Sequence, residues 1–302
     1  AYSDWHYQNG CPRHTAAPAR WWYGPFFCGW GEQAVLAARD GCTIYDAARQ
    51  KLYEEMSGHL DALELHPTAI IIDDKWQKFY GEALPDGDKW PDLRKFTEDQ
   101  HRRGRKVVLW FKCWDCEGLP TEECVRLNGK AIAADPTNPA YQERIRGTLH
   151  RLLSDGPGCF DCDGFKLDFT DCFPQERGME WYDDTVGGIE LLHRLIELIA
   201  TAAKRIKPDA LINCSACHPY FVSCIDQVRL HDYNADQRMI RRCMQFRRDL
   251  YRTVDSGLLI DTDFPSFGGH EDSMEYIRFA PELGAPDLYR LSDTCLLYTS
   301  DA

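Results

Sequence analysis

The sequence predicts an α/β fold of the (β/α)₈ TIM-barrel type, and three observations carry that prediction. From about residue 25 onward, short β-branched runs alternate with amphipathic helical stretches, the rhythm of parallel strands joined by crossover helices. Eight such runs can be counted, the number that closes a barrel. The segments that follow the runs are long and rich in Trp, Asp, Gly and Cys, whereas those leading into them are short, as at 102–105 and 207–209. In this fold the loops after the strands build the functional face.

Taken in order, the expected strands are 26–29, 69–73, 106–111, 163–168, 210–214, 227–232, 257–262 and 286–291. Between them Ile145, Leu149, Leu152 and Leu153 recur at helical spacing, as do Leu191, Leu192, Leu195, Ile196 and Ile199. These are read as barrel-covering helices. Residues 1–24, with a Pro- and Ala-rich stretch at 11–20, are expected to be a lead-in or linker remnant, and 25–294 the barrel. The last eight residues, 295–302, resemble the in-frame translation of a transposon end used in sequencing libraries and are expected to lie outside the fold. The chain is expected to be a fragment cut at both ends.

Composition narrows the function. A formal net charge of −13, with no basic stripe interleaved with aromatics, repels phosphate backbones and anionic lipid surfaces, so neither nucleic acid nor membrane is an expected partner. No apolar run approaches the roughly 20 residues that span a bilayer. Of fourteen cysteines in 302 residues, the thirteen outside the tail are an odd number that cannot all pair internally, and in a chain able to build a large core they read as reduced, mostly buried thiols of a cytoplasmic protein. Association into a homo-oligomer stays open.

The chemistry is expected at the strand ends. In the fourth expected strand Lys166 and Asp168 point the same way, because side chains alternate faces. Charges aimed into a barrel lumen are costly unless paired or used, and a Lys166–Asp168 ion pair would keep Asp168 ionised, as a carboxylate nucleophile requires. The alternative is a purely structural lumen salt bridge. The sixth expected strand ends in Arg229, Leu230, His231 and Asp232, bringing a second carboxylate to the same face. Two carboxylates flanking a bond are what glycoside hydrolysis needs, so Asp168 is the candidate nucleophile and Asp232 the candidate acid/base, with Asp236 as fallback and helix capping as the alternative role. The second expected strand ends in Asp73 and Asp74, with Trp76 just beyond: carboxylates to accept sugar hydroxyls and an indole for an apolar sugar face. Trp30, Lys112 and Trp114 follow the first and third strands and are candidate pocket residues, with plugging of the barrel as the other role for the two indoles.

Together these pieces resemble the clan of retaining α-glycosidases that contains glycoside hydrolase families 27, 31 and 36, over about residues 26–232. Asp73-Asp74-Lys75-Trp76 is similar to the Asp-Asp-x-Trp of families 27 and 36, and 135–139 to the Asp-x-Thr-Asn-Pro of families 31 and 36. Lys166-Leu167-Asp168 matches the clan's Lys-x-Asp, and Arg229 to Asp232 its Arg-x-x-Asp. The resemblance implies Asp168 as nucleophile, Asp232 as acid/base, and Asp73, Asp74, Lys166 and Arg229 as sugar contacts. It also implies double displacement without metal or organic cofactor, a carbohydrate substrate, flanking β-sandwich domains, and an α-galactosidase-like specificity closest to family 36. Lys75 stands where Gly or Cys is usual, and 214–217 lacks the glycines common in family 36, which leaves an α-glucosidase-like specificity open.

Three rival readings remain. Cys113/Cys116, Cys159/Cys162 and Cys214/Cys217 have zinc-ligand spacing, but they fall on separate βα units, and packing thiols are the expectation. Lys166 could be a Schiff-base lysine, although an adjacent carboxylate raises a lysine pKa. The barrel could also bind sugar without cleaving it.

Overall fold

The computed structural model describes residues 1–13, 17–230, 237–263 and 270–291. Its centre is one sheet of eight parallel strands: β1 (Phe26–Cys28), β2 (Ala69–Ile72), β3 (Lys106–Phe111), β4 (Gly164–Leu167), β5 (Leu211–Cys214), β6 (Gln227–Arg229), β7 (Leu259–Asp261) and β8 (Asp287–Leu288). From β1 to β7 each strand pairs with the next in sequence, and β8 returns to pair with β1, Phe26 opposite Asp287. The seam between β7 and β8 is closed by a parallel bridge of Asp261 to Ala285, with Ala285 N donating to the Ile260 carbonyl at 2.8 Å. Gly284 permits that approach, since a Cβ there would lie 2.2 Å from the Ile260 carbonyl oxygen. The α/β barrel read from the sequence is the observed fold.

All eight expected runs form strands, most of them shorter than expected, and at the end of β2 the ladder gives way to a side-chain contact. Asp73 illustrates this: its N–H donates to the Tyr53 hydroxyl at 2.8 Å instead of to a neighbouring strand. The expected extension of β6 through Asp232 runs outside the described residues, as do Asp236 and the whole 295–302 tail.

Two apolar layers follow from strand alternation. Phe27, Ile70, Ile72, Val107, Leu109, Phe111, Phe165, Leu167, Ile212 and Val228 face outward and pack under the helices, including Pro139–Leu153 and Ile189–Ile206. Phe26, Cys28, Ala69, Ile71, Val108 and Leu211 face inward as a separate cluster, floored by Trp22. The Trp22 indole donates to the Asp209 carbonyl and its own carbonyl accepts from Gln227, so the 3₁₀ turn Arg20–Tyr23, within the expected lead-in, packs as the barrel floor.

The 135–139 motif is a helix start. Asn138 Oδ1 accepts from Ala140 N at 2.9 Å, and Pro139 occupies the first helical turn, where its missing N–H costs nothing. Asp135 braces the turn, accepting from Thr137 and, on its other oxygen, from Tyr182 N at 2.7 Å. A small antiparallel sheet (Cys124–Leu127, Lys130–Ala134, Met179–Glu180) links the loops after β3 and β4.

At the opposite end of the barrel Asp163, just before β4, is buried and accepts from Val107 N, Lys106, Lys207 and His101. Burial alone would raise its carboxyl, but the His101 bond and the two ammonium groups overcome this and lower it to about 2. A carboxyl depressed on folding contributes stability above its unfolded pKa and loses it as pH falls through the folded value. Wild type is therefore expected to exceed Asp163→Asn by about 2 kcal/mol at pH 6, with the gap closing between pH 4 and 2; urea midpoints across that range check it.

Candidate active site

The upper half of the lumen is polar. Strand alternation that points Phe165 and Leu167 at the helices turns Lys166 inward, and Asp168 follows at the strand's end. The expected Lys166–Asp168 ion pair is not what forms. Lys166 Nζ instead donates to Asp73 Oδ2 at 2.9 Å, and Asp168 is held by Arg229, whose Nη2 donates to Asp168 Oδ1 at 2.5 Å. The reason is reach: Lys166 lies one pleat below Asp168 and spans the lumen to β2, whereas Arg229 comes up from β6.

These groups form a chain of contacts around the barrel. Arg229 Nε also donates to Asp263 Oδ2 at 3.0 Å, and the Tyr289 hydroxyl donates to Asp263 Oδ1 at 2.5 Å. That hydroxyl accepts from Lys166 Nζ at 3.4 Å, and Lys166 reaches Asp73, which also accepts from the Cys28 thiol at 3.0 Å. Trp110 Nε1 donates to the other oxygen of Asp168, Oδ2, at 2.8 Å, and Phe169 N donates to Oδ1 at 3.0 Å.

The electrostatics follow. Burial acts to raise Asp168, but the Arg229 guanidinium, the Lys166 ammonium and the Trp110 N–H outweigh it and hold the carboxyl far below the usual carboxylate range. Burial acts to lower Lys166, and the Asp73 carboxylate reverses that. Asp74 differs: burial pushes it up to about 6 against the Tyr80 hydroxyl, which donates to it at 2.9 Å. Asp287, deeper in the lumen, is raised well above the usual range by burial and by Asp261 and Asp263, and among the described residues neither of its carboxyl oxygens has a hydrogen-bond partner. Burial and the neighbouring carboxylates thus disfavour a further negative charge at this position.

Of the expected pocket residues, Asp73, Lys166, Arg229 and Asp168 converge in this network, with Asp74 beside it. Lys112 pairs with Asp115 at 2.8 Å and sits 4.3 Å from the Trp114 ring centre. Trp114 anchors the next loop, its indole donating to the Phe169 carbonyl at 2.7 Å. Trp30 is half-buried against Tyr45. Trp76 departs from the expectation of a sugar-stacking ring: it is 1% exposed, and its N–H donates to the Trp110 carbonyl at 2.8 Å, so it supports the wall from behind. The role of indole next to the carboxylates falls to Trp110. The sequence reading missed Trp110, Asp263, Tyr289 and Tyr80; for Trp110 the signal was present, since alternation on β3 turns it inward with Val108. Asp232 lies outside the described residues.

The thirteen cysteines among the described residues are free thiols. Cys113 and Cys214 pack in the apolar layer under the helices, and among the described residues no cluster of three or more His, Cys, Asp or Glu has a metal-holding arrangement.

The sequence matches no protein-family model and no curated protein. Its fold matches solved structures. The cycloalternan-degrading enzyme from Trueperella pyogenes in complex with a covalent intermediate aligns with a TM-score of 0.68 at 13% identity, covering 99% of this chain and 46% of that one. An α-galactosidase from Thermus thermophilus in complex with stachyose aligns at 0.63 and 16% identity, over 99% of this chain and 66% of that one. The cycloalternan-forming enzyme from Listeria monocytogenes in complex with a pentasaccharide substrate aligns at 0.66 and 14% identity, over 99% and 32%. The chain thus spans from about a third to two thirds of these proteins, and the likeness shows the fold.

Arg229 neutralises two carboxylates at once from a site 1% exposed. Arg229→Gln is expected to cost about 3 kcal/mol, the penalty of leaving buried charge unpaired, and to raise the Asp168 pKa; urea denaturation and carboxyl ¹³C titration read the two effects.

Proposed function

We propose that this chain is the catalytic barrel of a retaining α-glycoside hydrolase, α-galactosidase-like in specificity, with Asp168 as nucleophile. The observation that carries the reading is Asp168 itself: a carboxylate at the end of β4, kept ionised by Arg229 and oriented through both oxygens by Trp110 and Phe169 N. A displacement nucleophile needs that charge state and that fixed direction. The match in fold to an enzyme captured with a covalent intermediate supports the double-displacement form.

In the proposed reaction an Asp168 oxygen attacks the anomeric carbon while the glycosidic oxygen leaves with a proton from the acid/base, for which Asp232 is the candidate, three residues beyond Arg229. The resulting glycosyl ester is then cleaved by water, which gives its proton back to Asp232, and the sugar is released with its configuration retained. Asp73 and Asp74 accept hydroxyls of the bound sugar, and Lys166 and Arg229 donate to others. The preference for galactose rests on the paired Asp73 and Asp74, supported by the α-galactosidase among the similar folds. In this reading Trp30, Lys112 and Trp114 belong to the outer pocket.

Aryl α-galactosides and aryl α-glucosides separate the two specificities directly. Asp168→Asn is expected to lower kcat on the better substrate by at least about 10³-fold; an unchanged rate removes Asp168 as nucleophile. Because an ionised carboxylate is the stronger acceptor and Asp74 titrates near 6, wild-type kcat/KM is expected to rise with pH through that value. Asp74→Asn should lose that limb and about tenfold in kcat/KM above pH 7; a pH–rate profile of both proteins decides it.

A further inference from the structure

Phe169, the residue after Asp168, combines two unfavourable choices. Its backbone is left-handed, with φ +53 and ψ +28, and it is the one aromatic among the non-glycine residues of positive φ in the described residues. Bulky side chains rarely adopt that conformation, whereas Gly or Asn adopts it readily. The residue is also 44% exposed and belongs to neither apolar cluster, its ring meeting the Trp110 ring edge-on at 6.2 Å between centres. The turn needs only the backbone, which is clamped throughout: Phe169 N to Asp168, the Phe169 carbonyl to Trp114 and to Cys172 N, and Thr170 Oγ1 to Ser215 Oγ at 3.0 Å. The turn itself does not call for an aromatic ring at this position, whose ring neighbour is Trp110, and strain beside a reacting group points to use.

Exposure locates that use. Exposure rises from Asp73 at 3% and Asp74 at 8%, through the Asp168 side chain at 17%, to Phe169 at 44%, and Phe169 follows Asp168 past the end of β4, on the loop face of the barrel. In the glycosidase reading the cleaved sugar lies against the buried carboxylates, so a ring on the solvent side of the nucleophile meets what lies beyond the scissile bond. We infer that Phe169 is the platform for the leaving group, its face taking the apolar C–H side of a second sugar or an aromatic aglycone. The inference rests on the glycosidase reading and deepens it: the substrate class is glycosides whose aglycone presents a flat apolar face.

Glycosyl fluorides test it, since they carry the same sugar but only fluoride beyond the bond. Initial rates are measured on α-galactosyl and α-glucosyl fluoride, the matching p-nitrophenyl glycosides and an α-linked disaccharide, for wild type, Phe169→Asn and Phe169→Tyr. Asn keeps the left-handed turn and Tyr keeps the ring. Phe169→Asn is expected to lose about tenfold in kcat/KM on the disaccharide and the aryl glycoside while staying within about twofold on the fluoride, and Phe169→Tyr to stay near wild type on all three. An equal loss on the fluoride overturns the inference, because Phe169 then acts by positioning Asp168, and so does an unchanged rate on the disaccharide. Wild-type turnover of the fluoride reports separately on the glycosidase reading; its absence removes that reading and this inference together.

Discussion

The buried guanidinium of Arg229 is the constraint on which the rest of the lumen depends. It bridges Asp168 and Asp263, which come from opposite sides of β6, and it also donates to the Leu167 carbonyl and Asn213 Oδ1. Burying a guanidinium is expensive unless its donors are used and its charge is met. Here the two carboxylates meet it, and each is held ionised in return. Lysine could not do this, because a single ammonium lacks the planar fork that reaches two carboxylates in fixed directions.

The remaining charges arrange themselves around that pair. Lys166 is drawn away from Asp168 to Asp73, so Asp168 keeps its second oxygen for the Trp110 N–H. Asp261 and Asp287 are raised by burial and by their acidic neighbours, which disfavours further negative charge in the lumen. The apolar layer below, from Trp22 to Leu211, excludes water from the floor and keeps these interactions strong. A single parallel architecture thus separates a packed lower half from a polar upper half.

Much of this was legible in the sequence. The eight runs, their order and the inward turn of Lys166, Asp168 and Arg229 follow from strand alternation, which is local. The helix start at Asn138-Pro139 is equally local, since the Asn138 side chain caps the turn that Pro139 opens. Less legible were the partners. From spacing alone Lys166 belonged with Asp168 and Trp76 with the sugar pocket; in the fold a lysine two residues before a carboxylate reaches across the lumen more easily than upward, and Trp76 turns behind β3. Asp263 and Tyr289 carried no local signal, because their importance comes from strands β7 and β8 closing onto β1, over two hundred residues away in sequence.

The sequence by itself determined the barrel, the face on which the polar groups gather, and which carboxylate follows β4, since periodicity and loop length are properties of contiguous residues. Only the tertiary structure decided which cation meets which acid, which tryptophan faces the pocket, and that Phe169 is held strained and exposed beside Asp168. Those are matters of distance across a closed lumen and of loops clamped by neighbours from other strands, and no stretch of sequence contains both ends of such a contact.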